Sequence, residues 1–177
     1  MKPNWQIKDF EDCLDKVIYT KKIQKKDFLQ FGKFPIVSQE AENINGYWND
    51  VDDLFEVDRP LIIFGDHTKV IKYVDFDFVL GADGVKILKP KTFLDCKFFF
   101  HFMKSLDIKS LGYARHYKLL REIKVAIPPL PEQLRIVKIL DKVFEKTAKA
   151  KENTLKKLTD LEQLNKSVLV QALDGNL

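Results

Sequence analysis

The stretch Pro128-Pro129-Leu130-Pro131-Glu132-Gln133-Leu134-Arg135-Ile136-Val137 divides the chain into two parts of different character. Three prolines in four residues can neither continue a strand nor sit inside a helix, because each removes a backbone donor and fixes φ. Pro131 does suit the first turn of a helix, where no intrahelical N–H bond is lost. Glu132 places negative charge near the positive end of the helix dipole. Downstream, residues 132–174 contain neither proline nor glycine, although the chain has seven of each. Loss of both breakers predicts a helix from Pro131 toward the C-terminus.

The apolar residues of that helix are spaced by three and four, as an amphipathic helix requires. Leu134, Val137, Leu140, Val143 and Phe144 form one stripe, widened by Ile136 and Ile139. Leu155, Leu158, Leu161, Val168 and Ala172 form another, with Leu164 and Leu169 beside it. Residues 147–154 between them are polar and lysine-rich, which leaves room for a bend or break, although no Gly or Pro demands one. At ~1.5 Å per residue a continuous helix over 132–174 spans roughly 65 Å, wider than a domain of about 130 residues. Residues 1–130 alone cannot bury so long a stripe. One reading lays the helix across its own domain; the other, favoured by the length, pairs it with a second helix as a coiled coil. Asn165 falls on the seam of Leu158, Leu161, Val168 and Ala172, where a buried amide fixes register at some cost in stability. Leu155, Leu158, Leu161, Asn165, Val168 and Ala172 are therefore the expected helix–helix interface.

Upstream, short strands dominate. Leu61-Ile62-Ile63-Phe64 is closed by Gly65-Asp66, and Val70-Ile71-Lys72-Tyr73-Val74 is β-branched and aromatic. Gly84 precedes Val85-Lys86-Ile87-Leu88, which stops before Pro90, and Ile123-Lys124-Val125-Ala126-Ile127 alternates up to Pro128. Each reads as a strand bounded by turn residues. Asn43-Ile44-Asn45-Gly46 is a turn signal. One helix is expected over 93–106, with Thr92 or Asp95 near its start. The predicted class is α+β: a globular domain of mixed strands and short helices over 1–130, then a long coiled-coil-forming helix over 131–177.

Composition fits a globular chain: 45% hydrophobic and 32% charged residues, with 14 phenylalanines to fill a core. A formal net charge of +4 permits nucleic-acid binding without requiring it. Cys13 and Cys96 give neither a disulfide framework nor a metal spacing, so a reducing, cytoplasmic setting is expected. No apolar run approaches the ~20 residues that span a bilayer. No membrane association is expected.

Catalytic signatures are absent from the sequence. The glycines are too sparse for a phosphate-cradling loop, and His67, His101 and His116 have no metal-ligand spacing. Asp75 with Asp77, and Asp50 with Asp52 and Asp53, raise the option of a metal-dependent nuclease. Solvated strand ends and loops account for the same carboxylates more simply. The chain is expected to be no enzyme, with no catalytic residue and no metal.

Gly112-Tyr113-Ala114-Arg115-His116-Tyr117 leads into the Ile123 strand, followed by Pro128-Pro129-Leu130-Pro131-Glu132-Gln133, Arg135-Ile136-Val137 and Leu140-Asp141. This order resembles the end of a target-recognition domain in the specificity subunits of type I restriction-modification systems. Those run from a Gly-led loop through an apolar strand to a Pro-Pro-Leu-x-Glu-Gln-x-Arg-Ile helix start. Trp5, Pro35-Ile36-Val37-Ser38 before Asn45-Gly46, and the closing Gln171-Ala172-Leu173-Asp174-Gly175-Asn176-Leu177 are compatible with it. Family members generally carry two recognition domains and two long helices that pair antiparallel; this sequence shows one of each, and so resembles a half-subunit.

The resemblance implies a DNA-binding specificity subunit that performs no chemistry. It would place recognition domains on a bipartite double-stranded DNA site and dock methyltransferase subunits, with a restriction subunit as a further partner. S-adenosylmethionine and ATP would belong to those partners, and this chain would carry no cofactor. Two copies would pair through the C-terminal helix as a homodimer reading an interrupted palindrome. Tyr113, Arg115, His116 and Tyr117 then become candidate DNA contacts, Arg115 for phosphate or guanine, with core packing as the other reading of Tyr117. His67, Thr68, Lys69 and Lys72 follow the Gly65 turn. Lys21 and Lys22, in a basic cluster with Lys25 and Lys26, suit phosphate contact or a solvated face. Gln39, Asn45 and Tyr47 lie in an expected loop, where Gln and Asn can read adenine. The alternative is a protein-interaction adaptor that uses its helix and never touches DNA.

Overall fold

The computed structural model describes residues 4–82, 84–110, 112 and 114–175. The strands are β1 (Gln6–Asp9), β2 (Leu14–Asp15), β3 (Lys22–Ile23), β4 (Phe34–Val37), β5 (Gly46–Trp48), β6 (Leu54–Phe55), β7 (Leu61–Gly65), β8 (Ile71–Val74), β9 (Phe78–Gly81), β10 (Val85–Pro90) and β11 (Lys124–Ile127). The helices are α1 (Cys96–Ser105), α2 (Tyr117–Arg121) and α3 (Leu130–Leu173). The chain divides into two compact units, 1–135 and 136–177. The architecture is α+β with a long C-terminal helix, as the sequence predicts.

β7 is buried along its whole length, which is why Leu61-Ile62-Ile63-Phe64 carries no polar alternation. It pairs antiparallel with β10 and β8, and β10 also pairs with β2. A second sheet has the order β3-β9-β4-β5, with β6 added to β9; β9 runs parallel to β3 and β4. The core joins the two sheets: Val37 and Leu80 pack with Leu61, Ile63, Val74, Phe78, Val85 and Ile87. β1 and β11 form a separate antiparallel pair, bringing residue 6 opposite residue 127.

The strands expected at 61–64, 70–74, 85–88 and 123–127 are present as β7, β8, β10 and β11. The helix expected over 93–106 is shorter. Asp95 caps α1 by accepting the Phe98 N–H at 2.8 Å, and residues before it form a turn. α3 begins at Leu130, with Pro129 O accepting the N–H groups of Glu132 and Gln133. The Gln133 side chain is fully buried. Its amide nitrogen donates to Phe93 O and Pro128 O, each at 2.9 Å, and its oxygen accepts Asp95 N–H at 2.7 Å. One glutamine thus ties the first turn of α3 to the start of α1.

α3 runs without a break through 147–154. The hydroxyls of Thr147 and Thr154 donate to the carbonyls of Val143 and Ala150, four residues back, so this polar stretch satisfies its side chains within the helix. Every described residue after Asp141 is exposed. Leu155, Leu158 and Leu161 each keep more than half of their surface in water, at 55–57%.

Candidate nucleic-acid interface

Several of the candidate DNA contacts meet in one network, although they come from distant segments. Its centre is Asp66, buried in the β7–β8 turn. The Asp66 N–H donates to Gly84 O at 2.7 Å, which ties this turn to the one before β10. Its carboxylate accepts the Tyr117 N–H at 2.7 Å, and its carbonyl accepts the His116 N–H at 2.8 Å. His116 Nδ1 also lies 2.8 Å from that carbonyl. A carbonyl only accepts, so Nδ1 is the protonated ring nitrogen. These bonds seat the first turn of α2 and position the exposed Arg115 that precedes it.

Gln39 continues the network from the end of β4. Its side-chain oxygen accepts the His67 N–H at 3.3 Å, and its carbonyl accepts the Thr68 hydroxyl at 2.5 Å. Gly84 has φ of +88°, and a Cβ there would lie 2.5 Å from the Gln39 side-chain oxygen and 2.7 Å from the His67 ring. Lys69 adopts φ of 61°, an uncommon conformation for a residue with a Cβ, and its Nζ donates to Ile108 O at 3.2 Å. Lys25, from the basic cluster, joins by an ion pair to Glu40.

Three candidates have side chains engaged within the fold. Lys72 is 3% exposed; its ammonium donates to Glu42 O and to the Asn45 side-chain oxygen. Burial pushes this ammonium down to about 8, against the pull of the Glu42 and Glu40 carboxylates. The same Asn45 oxygen accepts Ser38 N–H at 2.7 Å, and the Asn45 amide nitrogen donates to Glu42 O at 3.2 Å. The Asn45 amide is therefore engaged inside its loop. His116 is 1% exposed and bonded as described.

Tyr117 is half-buried, with Lys86 Nζ 5.2 Å above its ring and Phe10 edge-on at 6.3 Å; burial raises its phenol above the ordinary range. Lys21, Lys22 and Tyr47 have other partners. Lys21 lies 3.6 Å from Asp53, Lys22 sits over the Tyr19 ring, and Tyr47 exchanges backbone bonds with Leu29. Tyr113 lies outside the described residues. Asp66 and Ser38, which organise the network, were missed from the sequence; the only signal was the Gly65-Asp66 pair ending a strand.

Three of the five carboxylates that suggested a nuclease have structural partners. Asp53 accepts the Trp48 indole N–H at 2.8 Å, Asp50 caps a turn through Asp52 N–H, and Asp77 accepts Val57 N–H. Among the described residues no group of three or more His, Cys, Asp or Glu is arranged to hold a metal ion. No helix among them is long and apolar enough to cross a membrane.

The chain is 29% identical over 143 residues to the type I restriction enzyme EcoR124I/EcoR124II specificity subunit of Escherichia coli, covering 71% of this chain and 34% of that protein. A chain from a structural study of complex assembly and conformational transition of the type I R-M system superposes with a TM-score of 0.81 at 18% identity, over 100% of this chain and 47% of that one. The HsdS subunit from Thermoanaerobacter tengcongensis superposes at 0.64 and 18% identity, over 100% and 46%. The chain thus spans about a third of the curated relative and under half of each solved chain. Residues 2–160 match the type I restriction modification DNA specificity domain, and the chain belongs to that family.

Proposed function

We propose that this chain is a non-catalytic, sequence-reading half-subunit of a type I restriction-modification system. Its globular unit binds one half of a bipartite double-stranded DNA site. α3 pairs with the same helix of a second copy to set the distance between two such units. Methyltransferase subunits using S-adenosylmethionine, and an ATP-dependent restriction subunit, dock on the assembled pair. The observation that carries this reading is the match to the specificity domain together with a 44-residue helix whose apolar seam stands in water. Such a seam is stable only when another surface covers it, and a like helix offers matching spacing.

Within the globular unit, the groups best placed to meet DNA are the partly or fully exposed ones around the Asp66 network: Gln39, His67, Thr68, Lys69 and Arg115. Loop ends held by buried hydrogen bonds present such groups with little ordering cost. The decisive experiment maps methylated adenines in cells carrying this chain with its methyltransferase partner. A symmetric interrupted motif supports the paired half-subunit; an asymmetric motif rules out the homodimer. The adaptor reading is tested by duplex binding at rising salt. A DNA reader loses affinity steeply as counterions compete, whereas absence of binding even at low salt would sink the DNA reading.

A further inference from the structure

Beside the Asp66 network, within the globular unit, lies an open cavity of about 630 Å³. Its volume falls in the range of small-molecule sites, roughly 300–1,000 Å³. One wall is aromatic: Tyr73 on β8 and Phe100 on α1 meet edge to face at 6.0 Å. Three lysines, Lys69, Lys72 and Lys104, line it together with one carboxylate, Asp107. Lys69 donates to the neutral carbonyl oxygen of Ile108, a bond that leaves its positive charge uncancelled, whereas Lys72 lies under the pull of the Glu42 and Glu40 carboxylates. The amide of Asn43 at the rim adds a donor and an acceptor.

We propose that this cavity binds a nucleotide unit, its phosphate held by Lys69 and Lys104 and its base packed against Tyr73 and Phe100. Cations gathered beside an aromatic wall select a ligand that is anionic at one end and flat and apolar at the other. A free nucleotide has that chemistry, and so does a nucleotide extruded from a DNA strand. The second source rests on the DNA-binding reading above; the first does not.

The probe for the free ligand is adenosine 5′-monophosphate, titrated into the full chain and followed by NMR. Shifts at Tyr73, Phe100 and Lys104 are expected, with adenosine and inorganic phosphate each binding about tenfold more weakly, the worth of one charge-assisted contact. Lys104 is exposed on α1, so Lys104→Glu is expected to keep the melting profile while weakening the nucleotide about tenfold. Duplexes of the mapped site carrying 2-aminopurine at successive positions test the strand source. A fluorescence rise on binding, lost in Lys104→Glu, identifies a nucleotide of bound DNA as the occupant; shifts with the monophosphate and no rise identify a free nucleotide. Inorganic phosphate binding as tightly as the monophosphate overturns the proposal. So does duplex binding with neither shifts nor fluorescence rise, an outcome that leaves the DNA reading standing. Monophosphate binding without any duplex binding does the reverse.

Discussion

The carboxylate of Asp66 accepts the backbone N–H of Tyr117 at 2.7 Å, across 51 residues of sequence. This buried bond and the two that His116 makes to the Asp66 carbonyl fix where the loop carrying Arg115 leaves the surface. Asp66→Ala removes the acceptor and leaves the N–H of Tyr117 without it. The expected loss is about 1–3 kcal/mol in urea denaturation. DNA affinity is expected to fall with it, since the loop loses its anchor. A variant of unchanged stability would show that the bond contributes nothing.

Gly84 tests the same network from the opposite side. Its positive φ and the closeness of Gln39 and His67 both exclude a side chain. Gly84→Ala is expected to destabilise the fold by at least about 1 kcal/mol and to shift Gln39 and His67. Denaturation, with chemical shifts of the His67 ring, checks both parts.

Lys72 makes stability depend on pH in the alkaline range. Burial lowers its ammonium from the ordinary 10.5 to about 8. Between those values the unfolded chain holds a proton that the folded chain has lost, so stability rises with pH across that window; below it both states are protonated and the contribution is flat. The urea midpoint of the wild type is expected to rise relative to Lys72→Met between about pH 8 and 10. Parallel curves for the two proteins would contradict the assignment.

Arg115→Ala is expected to weaken duplex binding while leaving self-association intact. A phosphate contact would show as a salt dependence shallower by about one unit, a base contact as about 1–3 kcal/mol lost at one position of the site. Affinity equal to wild type would remove this loop from the interface.

Leu161→Asp is expected to leave the chain monomeric in sedimentation equilibrium, because pairing would bury a charge in the seam. The globular unit should keep its melting transition. A mutant that remains dimeric would take that face of α3 out of the contact.

How far the fold could be read in advance depended on which forces were local. α3 was legible because missing glycine and proline and regular apolar spacing act within a few turns. Its continuity through 147–154 was not, since lysine and threonine favour neither answer until their own hydrogen bonds are known. β7, β8, β10 and β11 carried β-branched runs with clear ends. β3, β4 and β9 were harder to place because the parallel pairings of β9 join residues far apart, without a hairpin turn to announce them. At the candidate site, residue types suited to DNA contact drew attention to loops that the Asp66 network joins, yet type cannot tell an outward group from one turned inward. Lys72 and His116 look like surface residues in sequence and are interior ones in the fold; Asp66 looks like an ordinary turn residue and organises the rest.

A helix whose leucines stand in water has a consequence for the life of the protein in a cell. An unpaired copy displays its exposed leucines to solvent next to lysines, features by which chaperones and proteases find incomplete proteins. A paired copy hides the leucines. Stability then depends on concentration, because association withdraws folded chains from the unpaired pool. If α3 pairs as proposed, the amount of this protein that accumulates would therefore follow how much of it has found a companion.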